Sequence, residues 1–536
     1  MIMKKVLLPV CMLLFVQGAL LGQTVPLVNA EKSGLYARSI EQIMRLEDGE
    51  IDLATAVLVV SSEWNPDVNW RRYVVKLDDM AYEIRRRLEA KNIGVNHKAI
   101  AVINNYLYDE LGFKSVSEAK DPRDLFLHSV LDKERGYCLS LSILYLSLGE
   151  RLGLPLYGVV VPGHFFVRYD SGGVRFNIEA TSKGGYAEDE HYREKFNVPD
   201  VGRDHIYMLN LNKVQTIGCF LNNLGSVYTD VGDTEAALLA FKRAVEINPS
   251  LSESRANLGN IYLQRGMTDE AIQQYQMALR INPSNAQIHR SLGDAYSQRE
   301  WFNSAITEYV QALRLDTELV EAYKGLASAY CKQQMYGEAI AQLVEALSLE
   351  PDDANCYRQM GDVYRQMGDC TEAIFQYEKA LEIDRRLAEA HYGLGICYNK
   401  LGQSDDEIRA YKNALKIKPD MVGALINLGN VYFREKEYDD AIRHYKKAAS
   451  LKSDDAVVYY NLGSAYSNKE NYIQAAAAYR KAIELEPAMG EAHRGLGFAY
   501  YNLKKYELAL ECVRKAEELG AESSAELLKA IEKKLR

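Results

Sequence analysis

The chain has 536 residues, too many for one hydrophobic core, so more than one folding unit is expected. Its formal net charge of −10 and isoelectric point of about 5.6 argue against nonspecific attraction to nucleic acid or to an anionic membrane surface. A charged fraction of 26% and an apolar fraction of 48% are ordinary for folded protein.

The first residues run Met1 to Lys5 with Lys4 and Lys5 basic, followed by an apolar stretch from Val6 to about Leu21. A basic start, a short apolar core and small residues after it resemble a secretory signal peptide. The stretch falls short of the ~20 apolar residues a membrane-spanning helix requires. A leader over 1–22 is therefore expected, with Ala19, Gly22 and Ala30 as possible cleavage points, and the mature protein is expected to be periplasmic or extracellular. An uncleaved N-terminal anchor is the alternative. Cys11 lies inside the apolar stretch and reads as filler. No later segment is apolar enough to span a bilayer.

Without the leader seven cysteines remain: Cys138, Cys219, Cys331, Cys356, Cys370, Cys397 and Cys512. They form no CxxC pair and no close cluster with histidine, so neither a metal site nor a cofactor is expected. Cys331, Cys397 and Cys512 fall at small-residue helix positions and read as buried filler.

Residues 35–215 show no long period. Leu53-Ala54-Ala56-Val57-Leu58 and Leu77-Met80-Ile84-Leu88 are apolar stripes of helices. Gly136-Tyr137-Cys138 opens an apolar helix that runs to about Leu152 and ends at Gly153-Leu154-Pro155. Leu156 to Val161 is rich in β-formers, Gly163 to Tyr169 alternates as a strand does, and a turn at 170–173 leads to a second strand over 174–181. Cys138 thus starts a helix, His164 sits on a strand and Glu179 on the partner strand of a hairpin. A helix N-terminus stabilises a thiolate, a nearby imidazole takes or returns its proton, and a carboxylate behind the ring orients it. Antiparallel pairing can bring His164 and Glu179 side by side. Asp170, placed at the turn, is the poorer acid. The N–H of Cys138, free at the helix start, can donate to an oxyanion.

In these residues the chain resembles the transglutaminase-like family, whose core is a cysteine helix, a histidine strand and an acid strand. Arg151-Leu152-Gly153-Leu154-Pro155-Leu156 matches the segment after the cysteine helix. Ile51-Asp52-Leu53-Ala54 and Asp121-Pro122-Arg123 resemble a small bacterial branch of it. The resemblance covers about residues 45–185. It implies an α+β, papain-like fold with Cys138 as nucleophile, His164 as general base and acid, and Glu179 as orienting acid. The family's acid is usually aspartate before Pro-Thr; here the chain reads Glu179-Ala180-Thr181.

From residue 217 a period of 34 takes over. Nine tyrosines keep it without a slip, from Tyr228, Tyr262 and Tyr296 to Tyr500, and nine alanines keep it from Ala244 to Ala516. A fixed period of this length marks a helical-hairpin solenoid. In the second unit Leu258, Ile261 and Tyr262 share a face of one helix, Gly259 permits close approach of a second helix, Gly266 makes the turn, and Ala271, Tyr275 and Ala278 form the facing stripe. The small position recurs through Gly225, Gly293, Gly361, Gly395, Gly429, Gly463 and Gly497, with Ala327 once. This pattern resembles the tetratricopeptide repeat (TPR) family. It implies an all-α right-handed superhelix of nine repeats over 217–520, closed by a charged amphipathic cap over 521–536 with Leu527, Leu528, Ile531 and Leu535 as its stripe.

Such an array implies a protein or peptide partner in its groove. Asn223, Asn257, Asn260, Asn427, Asn430 and Asn461 stand beside the small position and are the expected peptide-binding residues, in a ladder interrupted by Ser291, Gln359 and Gly393. Two functions compete. One is an exported cysteine acyl-transferase or hydrolase acting on a peptide or amide, with the array recruiting the protein. The other is a non-catalytic assembly scaffold that keeps the N-terminal module only for recognition.

Overall fold

A computed structural model describes residues 37–116, 121–196, 198, 206–521 and 525–536. The expected leader at 1–22, with Cys11, and residues 522–524 of the expected cap lie outside the described residues. The chain forms two compact units, Met1–Arg299 and Glu300–Arg536.

The first unit begins with α1 (Ile40–Ile43), α2 (Leu53–Trp64), α3 (Trp70–Ala90) and α4 (Ala99–Asn104), then β1 (Lys114–Ser115), α5 (Leu127–Lys133) and β2 (Arg135–Gly136). Next come α6 (Cys138–Leu152), the four strands β3 (Leu156–Val161), β4 (His164–Asp170), β5 (Arg175–Glu179) and β6 (Gly185–Ala187), and α7 (Asp189–Lys195). Strands β1 and β2 form a parallel pair, and β3 to β6 form an antiparallel meander in chain order.

Local chemistry explains the boundaries. Asp52 caps α2 by accepting from the Thr55 N–H at 2.8 Å. α2 and α6 are apolar nearly all round, and both are buried along almost their whole length, as such helices must be. Gly153 ends α6 in the left-handed region at φ 75°, where glycine carries no Cβ penalty. A two-residue Pro162-Gly163 turn, with Gly163 at φ 71°, then returns the chain from β3 into β4 and sets His164 opposite Val161.

The periodic region opens with α8 (Lys213–Asp230), α9 (Thr234–Ile247), α10 (Ser252–Gln264), α11 (Thr268–Ile281) and α12 (Ala286–Gln298). α8 is built into the N-terminal module. The Lys213 N–H donates to Asp48 at 2.8 Å, and its ammonium group bonds the Ile51 carbonyl and Glu150. Phe220, Leu221 and Leu224 share one buried core with Leu141, Ile143 and Leu144 of α6. That shared core is why the compact division falls after Arg299 rather than near residue 215.

The second unit continues from α13 (Phe302–Leu315) to α25 (Tyr506–Glu518), with α26 (Ala525–Leu535) after it. Two helices per period give eighteen from α8 to α25. The nine periodic alanines are all buried. A Cβ at Gly429 would stand 2.6 Å from the Tyr445 ring, and one at Gly361 would stand 2.7 Å from Tyr377, so in these repeats the small residue is set by a buried aromatic sixteen positions later; at Gly497 the same place is taken by Val513. Of the nine periodic tyrosines only Tyr432 and Tyr466 are buried, and the other seven are half-buried. Cys331 and Cys397 are buried as expected, whereas Cys512 is half-buried. On α26, Ile531 packs on Ala509 and Val513 with Leu527 and Leu528 beside it, but Leu535 is exposed and does not extend the stripe. No helix among the described residues is long and apolar enough to cross a membrane.

Candidate active site

Cys138 is the first residue of α6 and is half-buried. The Tyr137 N–H donates to Ser140 Oγ at 2.8 Å, which fixes the entry into the helix. Gly136 is required here, because a Cβ would fall 2.7 Å from the same hydroxyl. At a helix start the first N–H groups have no partner within the helix, so the sulfur lies at the positive end of the dipole.

His164 begins β4, and its Nε2 lies 2.7 Å from Glu179 Oε2. The two are not directly opposed. Val167 pairs with Ile178, a register that places Glu179 opposite 166 and His164 two residues further along the same face. The bond is therefore diagonal, and the extra methylene of glutamate supplies the reach. The rest of the Glu179 carboxylate is also engaged. The Thr181 N–H donates to Oε1 at 3.1 Å, the Thr181 hydroxyl bonds the same oxygen, and Tyr192 Oη donates to Oε2 at 3.2 Å. Phe196 stacks on the His164 ring at 4.8 Å between centroids and 2° between planes.

Burial works against charge on His164, but interactions with Cys138 and then Glu179 outweigh it and hold the imidazolium up to about 9. Burial likewise opposes charge on Glu179, yet the hydrogen bonds from His164 and Thr181 keep its carboxyl below the usual range. The ring is thus a proton donor at neutral pH beside the Cys138 sulfur, with a carboxylate bonded to its Nε2. That arrangement suits attack on a carbonyl followed by protonation of the departing amine. Asp170 closes the far end of β4, pairs with Arg175 and accepts from Asn210 at 3.0 Å. It takes no part in this arrangement.

Cys138 and His164 share a cleft of about 430 Å³ with residues from α8, α10 and α12, among them Asn222, Asn223, Asn257, Asn260, Glu253 and Arg290. The asparagines are partly committed. Asn257 donates to Asn222 at 3.1 Å, and Asn260 accepts from the Tyr275 hydroxyl at 2.7 Å. In the second unit Asn430 and Asn461 line a separate cleft. Asn430 accepts from Tyr445 Oη at 2.7 Å and from Asn461 at 3.3 Å. Asn427 donates to Tyr411 Oη at 3.3 Å. Of the expected ladder residues, Asn260, Asn427 and Asn430 are thus tied to tyrosines of the helix packed beside them, and Asn257 and Asn461 to other asparagines.

Tyr192, Phe196 and Glu253 carry no motif. Tyr192 and Phe196 follow β6, a strand of only three residues, and Glu253 lies in a repeat position that the period leaves variable. The Asp52 and Arg151 motifs meet each other away from this cleft: Arg151 Nη1 lies 3.2 Å from Asp52 and Nε lies 2.7 Å from Asp78. Asp121 caps the turn that begins at Pro122 by accepting from the Arg123 N–H at 3.0 Å. All three motifs are therefore scaffolding.

Residues 71–208 match the transglutaminase-like superfamily, and tetratricopeptide repeat families match 225–299, 327–421, 429–489 and 492–519. The chain is a tetratricopeptide repeat protein with an N-terminal transglutaminase-like domain. It is 28% identical over 217 residues to a UPF0162 protein of Xylella fastidiosa (strain 9a5c), covering 39% of this chain and 76% of that protein. Over 81 residues it is 36% identical to F-box only protein 21 of Mus musculus, covering 15% of this chain and 13% of that one. Among solved structures, a crystal structure of MamA is 30% identical, covering 30% of this chain and 94% of that one, with a TM-score of 0.29.

Proposed function

We propose that the protein is an exported cysteine acyl-transfer enzyme acting on a peptide or amide, with its repeats holding a protein partner. In this reading the leader at 1–22 directs export to the periplasm or beyond. Residues 35–215 are the catalytic domain, 217–520 are the nine repeats and 521–536 are the cap. The observation that carries the reading is the 2.7 Å bond between His164 and Glu179 in the cleft that Cys138 lines.

The Cys138 thiolate attacks the carbonyl carbon, and N–H groups at the start of α6 stabilise the oxyanion. As the C–N bond breaks, the His164 imidazolium gives its proton to the departing amine, leaving a thioester on Cys138. With Nε2 bonded to Glu179, Nδ1 is the ring atom left to handle this proton. Water, or a second amine, then adds to the thioester. His164 takes the proton, and the sulfur leaves as thiolate beside a restored imidazolium.

The test is covalent labelling. Iodoacetamide should modify Cys138, located by peptide mapping, almost as fast at about pH 6 as at about pH 8, and at least about tenfold more slowly in His164→Ala. An inert Cys138 would leave the domain as a recognition module on a scaffold.

A further inference from the structure

Glu253, the second residue of α10, brings a carboxyl group from the repeats into the cleft of Cys138 and His164. Ser252 Oγ donates to its Oε2 at 3.1 Å, and among the described residues no cationic side chain forms an ion pair with it. The other charges of the cleft are occupied. His164 is bonded to Glu179. Arg290 on α12 holds Asp294 at 2.6 Å and also bonds Gln287 and Ser291. On its own helix Arg255 bonds the Pro249 carbonyl. α8 contributes Cys219, whose thiol burial pushes up to about 12 and so leaves uncharged. Glu253, favoured only by Ser252 and the backbone at the start of α10, is thus the acid of the cleft with no cationic partner among the described residues. Burial raises its carboxyl to about 7, a cost of ionisation that a bound cation would relieve. The same cleft is lined by Asn223, Asn257, Asn260 and Gln287, side-chain amides that both donate and accept, as a polypeptide backbone does.

We infer that Glu253 is a specificity subsite and that the substrate is an extended polypeptide carrying a basic side chain close to the amide presented to Cys138. This rests on the acyl-transfer reading of Cys138. The first helices of the repeats then form one wall of the catalytic cleft as well as a docking platform. Selection for the basic side chain strengthens as Glu253 ionises through pH 7 and weakens below it.

Three kinds of alkylating reagent test this on the full-length protein, each scored by mass mapping at Cys138. They are iodoacetamide, iodoacetyl-tetraalanine amides with one alanine replaced by lysine at each position in turn, and the same set with norleucine. At about pH 8 the best lysine peptide should react about tenfold faster than its norleucine counterpart, a preference of about 1.4 kcal/mol. The ratio should shrink at about pH 6 and fall to about one in Glu253→Gln. Equal lysine and norleucine rates on the native protein, with iodoacetamide still reacting, would overturn the subsite and leave the nucleophile standing. The native comparison needs no variant, so a Glu253→Gln protein that fails to fold does not shield the proposal. A native Cys138 inert to all three reagents would overturn the subsite together with the acyl-transfer reading.

Discussion

Asp52 and Arg151, 99 positions apart, form an ion pair in which neither side chain is exposed. Asp52 caps α2, and Arg151 lies in the last turn of α6, so the pair joins two largely buried apolar helices of the N-terminal domain. Breaking one partner leaves a buried charge. Arg151→Met should lower stability by about 3–5 kcal/mol, while Asp52→Asn with Arg151→Met together should cost less than the sum of the two. Urea denaturation of the single and double variants reads this directly. Additive losses would show that the pair is not coupled.

The His164–Glu179 bond sets a pH window. His164 titrates near 9 in the fold against about 6.5 unfolded, so its contribution is fully present below about pH 6.5 and is lost as pH rises through about 9. Glu179 is shifted the other way, so its contribution is present above its unfolded value of about 4.5 and is lost as the pH falls below that. The native protein should lose about 3 kcal/mol between about pH 6.5 and pH 9 that His164→Ala does not lose. Parallel slopes in the two proteins over that range would count against an imidazolium held by Cys138 and Glu179.

The diagonal register makes the length of residue 179 matter. Glu179→Asp shortens the arm that spans from the end of β5 to His164, so it should slow Cys138 alkylation at about pH 6 by roughly tenfold or more, despite keeping the charge. Glu179→Gln should slow it through lost charge while preserving reach. If Glu179→Asp labels at the native rate, the carboxylate's placement is not what fixes the ring.

In the repeats, two glycines should respond in opposite senses. Gly429→Ala puts a Cβ 2.6 Å from the Tyr445 ring and should cost about 1–3 kcal/mol. Gly337 lies in a helix, with nothing within 4 Å of where a Cβ would be. Gly337→Ala should therefore stabilise by about 0.5–1 kcal/mol. Thermal melts of both variants separate packing from helix propensity.

The repeats were legible because their contacts are local. A glycine and the aromatic that excludes its Cβ lie within one period, so the period itself encodes the packing. Cys138, His164 and Glu179 were legible because each sits where a local rule places it: a helix start, a strand and the strand's hairpin partner. The diagonal pairing was not, since it depends on how β4 and β5 slide past each other around their turn. Tyr192, Phe196 and Glu253 were hidden for a related reason. Tyr192 and Phe196 reach Glu179 and His164, and Glu253 reaches the cleft, only through the placement of α7 and α10, and no spacing along the chain encodes that. The fusion of α8 with the N-terminal core was hidden as well, because Phe220 and Leu224 satisfy the repeat pattern and the core at once.

The central claim is that His164 and Glu179 act on Cys138 as one unit. Its most direct test is a double-mutant cycle on the iodoacetamide rate at Cys138 near pH 6.5, comparing the native protein with His164→Ala, Glu179→Gln and the pair. The account predicts that the double variant reacts no more slowly than His164→Ala alone, because without the ring the carboxylate has nothing to orient. Losses that multiply, or a rate that neither substitution changes, would contradict it.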